Sequence, residues 1–383
     1  MILVVTKSRD DAFDALFFQG LPDDLTSQIR VLEFGNDALT PALAEAAAVI
    51  VMRHGLFSFG HLAQSAGWAC IPRYYFLDDN LMLLSEEPDV YGPYWSAYTD
   101  ANVRRALKGF AGVLLASRPL MTYFEERALH PRLLEYPPVA WPILRSRAEG
   151  PATDAWRRPT GEPLRIAFFG GEHRRDLFAA CVYPAIQRLA ADQRVDLVLA
   201  GVDPAALPAP IAGLRLISVP YQLRYGAALA ELARRHIDIL VHPTQPSRNN
   251  PYKNANVLIN ARAVGAVAAL SHLPPYDTLG TPSPAALCEN TPDAWYASLS
   301  GLAQDPDLCG RTFASAARYC DEHFSGRANA AAIRSIVAAH AAPSTASRAY
   351  RRALAGPVLG FDRAVFRAKT VARRVVRRAV GSA

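Results

Sequence analysis

The stretch "SRNNPYKNANVLINARAVGAV" (247–267) concentrates side chains that bind anions and hydroxyl groups. Arg248, Asn250 and Lys253 follow directly on the apolar run "IDILVHP" (237–243), which predicts a strand. A lysine between a strand and a helix suits a diphosphate, because hydrogen bonds between opposite charges are about twice as strong as neutral ones. The alternative for Lys253 is an ordinary exposed lysine.

A helix is predicted after this cluster, from about Asn254 to Val264, with Gly265 at its end. Three of its residues, Asn254, Asn256 and Asn260, are poor helix-interior residues. We interpret these amides as hydrogen-bonding groups that face a ligand.

The segment "FFGGEHRRD" (168–176) has a strand, two glycines and then a helix start. Gly170 and Gly171 let the main chain approach a phosphate, the helix N-terminus offers N–H groups, and His173 adds a further donor. The alternative is a simple turn. The pattern is not G-x-G-x-x-G, so it does not indicate a dinucleotide site.

Two further groups follow apolar runs in the first part of the chain. Asp78 and Asp79 end "YYFL" (74–77), and His54 follows Arg53 after "AVIVM" (48–52). Paired carboxylates bind metal ions or sugar hydroxyls or act as a base, and they also cap helices. A structural role is the alternative for His54.

Short apolar runs alternate with helical stretches along most of the chain, which predicts parallel sheets covered by helices. Ligands bind such sheets at the carboxyl ends of the strands. The predicted strands lie at 2–6, 29–34, 48–53, 72–77, 112–117, 164–171, 195–201, 214–220, 237–243 and 266–271.

The segment 146–163 is rich in Pro, Gly and charge and lacks apolar periodicity, so it is predicted to be a linker. It separates two predicted doubly wound, Rossmann-like α/β domains, 1–145 and 164–342, which face a central cleft. Such a cleft is a preferred place for a small molecule. A basic helical tail, 343–383, follows.

The tail has ten Lys or Arg and one acid, so its charge is +9 within a total of +6. The rest of the chain is therefore slightly acidic, and no nucleic-acid partner is expected. Residues 361–380 are basic and apolar at helical spacing, which favours an anionic membrane surface, with a partner-bound or solvated helix as the alternative. The five scattered cysteines and the absence of a leader or long apolar run predict a cytoplasmic protein, peripheral on the inner face of the membrane.

The ordered set of segments resembles the GT-B glycosyltransferases of the large retaining type that includes the family-four enzymes. The resemblance covers roughly 45–330 and rests on "IAFFGG", "LVLAG", "ELARRHIDILVHP", Asn250 with Lys253, "GAVAALSHLPPY" and "ENTPDAWYASLSGLAQDPDL". It implies sugar transfer from a nucleotide-sugar donor, bound by the second domain, to a saccharide or lipid-linked acceptor, bound by the first.

The resemblance also implies roles for particular residues. Lys253 matches the basic residue that contacts the donor diphosphate, and Asn260 matches a Glu that holds ribose hydroxyls. Val257 matches a second Lys of the relatives, and "TKSRDD" stands in place of their first glycine-rich loop. Lys253, Arg248 and the Gly170–Gly171 backbone would stabilise the negative charge of the leaving diphosphate, without an obligatory metal or other cofactor.

The leading hypothesis is therefore a glycosyltransferase of cell-surface polysaccharide or glycolipid assembly, with His54, Asp78 and Asp79 as catalytic candidates. The alternatives are a non-catalytic GT-B module that binds a nucleotide sugar or a protein partner, and a sugar-nucleotide epimerase on the same fold.

Overall fold

The structure is a computed structural model of the 383-residue chain. It describes residues 1–6, 11–18, 20–53, 56, 70–87, 96–140, 142, 144, 161–171, 174–219, 224–340 and 342–353. The chain forms two compact units. The first comprises Met1–Pro137 and the chain from Arg327 onward, and the second comprises Pro138–Gly326.

The first unit contains, in its described residues, a six-stranded parallel sheet of order β2-β1-β3-β4-β5-β6. Its strands are β1 (Ile2–Thr6), β2 (Ile29–Glu33), β3 (Ala48–Met52), β4 (Arg73–Leu77), β5 (Gly112–Leu115) and β6 (Leu133–Glu135). Its helices are α1 (Asp11–Phe17), α2 (Asp23–Thr26), α3 (Leu39–Glu45), α4 (Leu81–Ser85), α5 (Asp100–Leu107) and α6 (Arg118–Glu126).

Strands β3 and β4 are buried along their whole length. Their runs, "AVIVM" and "RYYFL", are almost continuously apolar because a parallel sheet is covered on both faces. The strand order reverses between β1 and β3, so a crevice opens there at the carboxyl edge.

The second unit contains, among the residues described, a six-stranded parallel sheet of order β12-β11-β10-β7-β8-β9. Its strands are β7 (Leu164–Phe169), β8 (Val195–Ala200), β9 (Leu214–Val219), β10 (Ile239–His242), β11 (Val267–Ser271) and β12 (Ala286–Cys288). Its helices are α7 (Tyr183–Asp192, after π-helical Phe178–Val182), α8 (Tyr225–Arg234), α9 (Val257–Val264), α10 (Pro292–Gln304) and α11 (Pro306–His323). The order reverses between β7 and β10, which makes that pair the switch point of the sheet.

Large side chains fill the core of the second unit between the sheet and its helices, including Phe168, Phe178, Tyr183 and Trp295, which are all fully buried. Helices α10 and α11 begin at side-chain caps, where Thr291 and Asp305 accept bonds from the backbone N–H groups of Ala294 and Leu308.

The ten strands expected from the sequence are confirmed to within a few residues. The sequence did not indicate β6 and β12, which have three residues each and lie at sheet edges. Such short runs pair with one neighbour and carry little periodicity of their own.

The helix expected over 254–264 is wrong at its start. Helix α9 begins at Val257 and ends at Gly265, which adopts the left-handed conformation (φ 70°). Asn254 and Asn256 precede the helix, and Asn254 Oδ1 accepts a bond from the Asn256 N–H. Two of the three asparagines therefore do not oppose helix formation, because short polar side chains stabilise the turn before a helix.

The described residues of 327–353 belong to the first unit, whereas the sequence placed 327–342 in the second domain. In helix α12 (Arg327–Ala339), Asn329 Nδ2 donates to the Pro137 carbonyl at 2.7 Å. A last helical stretch, 345–353, is fixed by Arg351, which donates to the carbonyls of Ala46 and Cys70. The boundary was missed because such long-range contacts leave no local pattern.

Two predicted segments lie outside the described residues, the linker up to residue 160 and the amphipathic stretch 361–380. Within the part of the chain that is described, no helix combines the length and apolarity needed to cross a membrane.

Candidate functional sites at the two sheet edges

The glycine loop (170–171) and the basic segment (244–253) both begin at the switch point of the second sheet. Strands β7 and β10 are parallel neighbours, with Ile166 opposite Ile239, so the loops after them start side by side at the carboxyl edge. The Gly171 carbonyl accepts a bond from the Arg174 N–H at 3.0 Å, which turns the chain toward a helix. Gly170 and Gly171 lie at this carboxyl edge, and their contact with a phosphate stays a prediction, while His173 is outside the described residues.

Buried amides shape the basic segment from the inside. Asn249 and Asn250 are 0% and 3% exposed, and Asn250 Nδ2 donates to the Gln245 carbonyl at 2.7 Å. Asn250 begins a 3₁₀ turn, Asn250–Tyr252, that ends at Lys253. The amide nitrogen of Asn250, which the sequence predicted to be a donor to a ligand, donates within its own segment, and contact of Asn250 with a ligand stays a prediction. Arg248 is exposed and Lys253 is half-buried at the end of the turn.

A closed network of neutral polar groups ties β10, β11 and β12 together where they end. Ser271 Oγ accepts from the Thr244 N–H at 2.8 Å and donates to Asn290 Oδ1 at 2.7 Å. Asn290 Nδ2 donates to the Thr244 carbonyl at 2.9 Å. The basic segment therefore starts from a fixed point. Sequence reasoning missed these three residues, because their only signal was a polar residue after each strand.

Asn260 lies near the middle of α9 and is engaged by an aromatic residue from the neighbouring helix. The Tyr225 hydroxyl donates to Asn260 Oδ1, and the Tyr225 ring lies 5.7 Å from that of Phe169 at the end of β7. All three side chains are half-buried. The structure thus joins Asn260 to the end of β7, while Val257, one turn earlier, is a core residue that is 1% exposed.

His242 and Tyr276 add a buried aromatic pair to the same edge, with ring centroids 6.2 Å apart in an edge-to-face arrangement. Burial raises the pKa of Tyr276, and the positive charge of Arg174 opposes that rise. Arg174, which follows the glycine loop, therefore lies close enough to Tyr276, which follows β11, for its charge to act on the hydroxyl.

The carboxyl edge of the first sheet brings Arg53, Asp78 and Asp79 together. Arg53 Nε lies 2.7 Å from Asp78 Oδ1, and Arg53 Nη2 lies 2.8 Å from Asp79 Oδ2. Arg53 directly follows β3 with a positive φ of 40°, and its N–H donates to the Phe76 carbonyl on β4. Parallel pairing of β3 with β4 thus brings residues 25 or more positions apart into one cluster.

The capping alternative for the two aspartates is not what the structure shows. Asn80 is the N-cap of α4, and its Oδ1 accepts from the Leu83 N–H. Asp78 and Asp79 are thereby left to bind Arg53. His54, the third predicted catalytic residue, is outside the described residues. No group of three or more His, Cys, Asp or Glu side chains suited to a metal ion occurs in the ranges that the structure describes.

Comparison with known proteins places the fold. No protein-family model matches the sequence, and no curated protein matches it. Among solved structures, HepE from Anabaena in complex with UDP and glucose has a TM-score of 0.56 at 12% identity, over 88% of this chain and 99% of that one.

Two further similar structures are sugar-phosphate synthases. Sucrose-phosphate synthase from Thermosynechococcus elongatus has a TM-score of 0.51 at 13% identity, over 77% of this chain and 74% of that one. The UDP-forming α,α-trehalose-phosphate synthase from Burkholderia xenovorans, in complex with glucose-6-phosphate, has a TM-score of 0.51 at 12% identity, over 88% of this chain and 100% of that one. At identities this low, the structural similarity establishes the fold alone. These neighbours are GT-B glycosyltransferases. The chain has the GT-B fold, with a Rossmann-like parallel sheet in each of its two units.

Proposed function

We propose that the protein is a glycosyltransferase that moves a sugar from a nucleotide-sugar donor to a saccharide or lipid-linked acceptor. One observation carries the proposal. The switch point of the second sheet combines the glycine backbone at Gly170 and Gly171 with the basic segment that contains Lys253. Open α/β sheets bind nucleotides at this place. The HepE structure on the same fold contains UDP and glucose, which supports the choice of donor class.

The chemistry fits the residues at this edge. Glycosyl transfer breaks the bond between the sugar carbon and the diphosphate oxygen, so negative charge grows on the leaving diphosphate. Lys253, Arg248 and Arg174 supply positive charge, and the Gly170–Gly171 backbone allows close approach. We propose that these groups suffice without an obligatory metal, and that the Tyr225–Asn260 pair meets the ribose hydroxyls.

The finer parts of the proposal concern the stereochemistry of the transfer, the kind of sugar and the cellular role. Retention at the sugar carbon, hexosyl transfer and a role in cell-surface polysaccharide or glycolipid assembly follow from the sequence resemblance. The basic and amphipathic sequence of the tail, residues 361–380, supports contact with an anionic membrane. The preceding stretch 345–353 is held on the first unit, since Arg348 and Arg352 both form ion pairs with Glu45.

The test of activity is titration of the full chain with UDP and GDP, followed by a turnover assay over a panel of UDP- and GDP-sugars with saccharide and lipid-linked acceptors. We expect binding of one nucleotide and turnover of its sugar that increases when an acceptor is present. Failure of both nucleotides to bind contradicts the proposal, and turnover that never depends on an acceptor favours an epimerase.

A non-catalytic module is the second candidate, and one observation favours it. The buried Val257 and the neutral Asn260 occupy positions where the resemblance implies a Lys and a Glu. Nucleotide binding without turnover of any donor, with acceptors supplied, is the result expected for such a module.

Membrane contact is tested by truncation after Ala353, which keeps the docked stretch 345–353. We expect the full chain to sediment with vesicles of phosphatidylglycerol and phosphatidylcholine, and the truncated chain to stay in solution. Equal sedimentation of both chains contradicts a role for the tail.

A further inference from the structure

A pair of aromatic side chains lies at the carboxyl edge of the second sheet. Phe169 is the last residue of β7, directly before the glycine loop, and Tyr225 is the first residue of α8. Their ring centroids are 5.7 Å apart, with an angle of 37° between the ring planes. Both side chains are only partly buried. An aromatic surface that remains in contact with solvent therefore adjoins the glycine loop.

The two consecutive phenylalanines at the end of β7 have different surroundings. Phe168 is fully buried and packs against Phe178 in the core, with ring centroids 4.5 Å apart. Successive residues of a strand face opposite sides of the sheet, so Phe169 faces the other side, where its ring meets Tyr225. Phe168 thus belongs to the core, whereas Phe169 belongs to the carboxyl edge.

The Tyr225 ring is fixed from two directions. Its hydroxyl donates to Asn260 Oδ1 on α9, and Phe169 lies beside the ring. A third flat ring between Phe169 and Tyr225 would need a separation of about 7 Å, which is twice the contact distance of about 3.5 Å. Since the two rings are closer than that, a flat ligand has room only against the outer face of the Tyr225 ring.

A nucleobase is the part of a nucleotide sugar that suits such a surface. Bases stack on aromatic side chains through their π faces, and the interaction does not depend on one particular base. Asn260, which holds the Tyr225 hydroxyl, is the residue that we propose for the ribose hydroxyls. The ribose carries the base, so an aromatic ring bound to Asn260 is in a suitable place for the base.

We propose that the Tyr225 ring, supported by Phe169, stacks against the nucleobase of the donor. The inference rests on the proposed function and divides the second edge into two subsites. Lys253 and the Gly170–Gly171 backbone bind the diphosphate, while Tyr225 and Asn260 bind the nucleoside.

The test titrates the full chain and its variants with UDP, GDP and inorganic pyrophosphate, which has no base, directly and in competition. In Tyr225→Leu, the nucleotide that the native chain binds should lose about tenfold in affinity, equivalent to about 1.4 kcal/mol. The affinity for pyrophosphate should stay within about twofold of the native value, because the diphosphate subsite is unchanged. A purely structural role of Tyr225 would instead weaken both ligands or neither.

Tyr225→Phe isolates the contribution of the ring, since it removes the hydroxyl and keeps the aromatic face. The Leu variant should bind the nucleotide about fivefold more weakly than the Phe variant. If Tyr225→Leu does not fold, Phe169→Leu removes the support of the ring and should weaken the nucleotide by a smaller factor, again without a change for pyrophosphate.

Tyr296→Leu is the matched control, because Tyr296 is a partly buried aromatic residue of the same unit. It lies on α10, where the Arg188 guanidinium is 3.9 Å from its ring centroid and its hydroxyl donates to Asp192 at the end of α7. This variant should bind the nucleotide and pyrophosphate like the native chain.

Three outcomes would overturn the inference: equal nucleotide affinity of the Leu and Phe variants at position 225, an equal loss for nucleotide and pyrophosphate, or a native chain that binds the nucleotide but no pyrophosphate. Each of them leaves nucleotide binding by the native chain intact and removes only this inference. A native chain that binds neither UDP nor GDP contradicts the proposed function as well.

Discussion

The two sheets of this protein have similar carboxyl edges with opposite chemistry. At the first edge, among the described residues, Asp78 and Asp79 both form ion pairs with Arg53. At the second edge, two glycines meet a segment that carries Arg248 and Lys253. The comparison shows that a parallel sheet supplies a place for a ligand, while the residues after each strand decide what binds.

The two edges also differ in how their loops are held. The first relies on ion pairs and on a strained residue, Arg53, with positive φ. The second relies on buried neutral hydrogen bonds among Thr244, Ser271 and Asn290. The network of the second edge therefore contains no charged side chain, whereas Arg53 holds the first edge through ion pairs.

The variant Lys253→Ala should have the largest effect, and it tests whether the second edge binds an anionic ligand. Loss of a charge-assisted bond to the diphosphate should weaken UDP binding by about 10- to 100-fold in a calorimetric titration. Lys108→Ala, an exposed lysine of the first unit, is the control and should bind UDP like the native chain. Equal affinity of all three proteins would show that Lys253 does not contact the nucleotide.

Asn290→Ala tests whether the neutral network supports the second edge. The change leaves Ser271 Oγ and the Thr244 carbonyl without this partner, and we expect a loss of about 2 kcal/mol in unfolding free energy, measured with urea. UDP affinity should fall as well, because Thr244 begins the basic segment. Gln304→Ala, which removes only an exposed bond to Ser300 in the same unit, should change neither quantity. A stable variant with native affinity contradicts the supporting role.

Asn260→Asp tests the difference between the two edges, because it places a carboxylate on α9, beside the basic segment of the second edge. The isosteric acid still accepts from Tyr225 and offers charged oxygens to ribose hydroxyls, so UDP should bind about fivefold more tightly, close to 1 kcal/mol. Tyr225→Phe is the companion variant, since it removes the hydroxyl and retains the ring. Weaker UDP binding by Asn260→Asp would indicate that Asn260 faces the phosphates.

The smallest expected effect is a pH dependence confined to the first unit. Tyr74 and His340 form a hydrogen bond at 2.9 Å, and burial, followed by the charge of Arg132, lowers the pKa of His340 below 6.5. The unfolded chain therefore binds a proton first as the pH falls. The contribution of His340 to stability is present above about pH 6.5 and is lost as the pH falls through the lower, folded pKa.

Urea unfolding at several pH values between 5 and 8 measures this contribution. The native chain should lose stability toward pH 5, and His340→Gln should show a flatter profile in that range. Identical slopes for the two proteins would contradict the assignment to His340.

The sequence predicted the strands because each is a compact apolar run between turn residues, as in "AVIVM" and "LRIAFF". It also predicted the end of α9, since Gly265 is suited to a left-handed C-cap. It placed the start of α9 three residues early, because it read the asparagines before Val257 as part of the helix, whereas they form the turn that precedes it. It missed β12, a three-residue edge strand that pairs with β11.

The candidate sites divide in the same way. The sequence by itself identified Gly170, Gly171, Lys253, Asp78 and Asp79, because each follows an apolar run and carries a side chain or backbone suited to a ligand. Only the tertiary structure decided that Asn250 supports its own segment, that Arg53 joins the two aspartates, and that Asn290 closes a network with Thr244 and Ser271. The reason is physical: strand order and parallel pairing place distant residues side by side, and local sequence patterns record the strands but not which strands become neighbours.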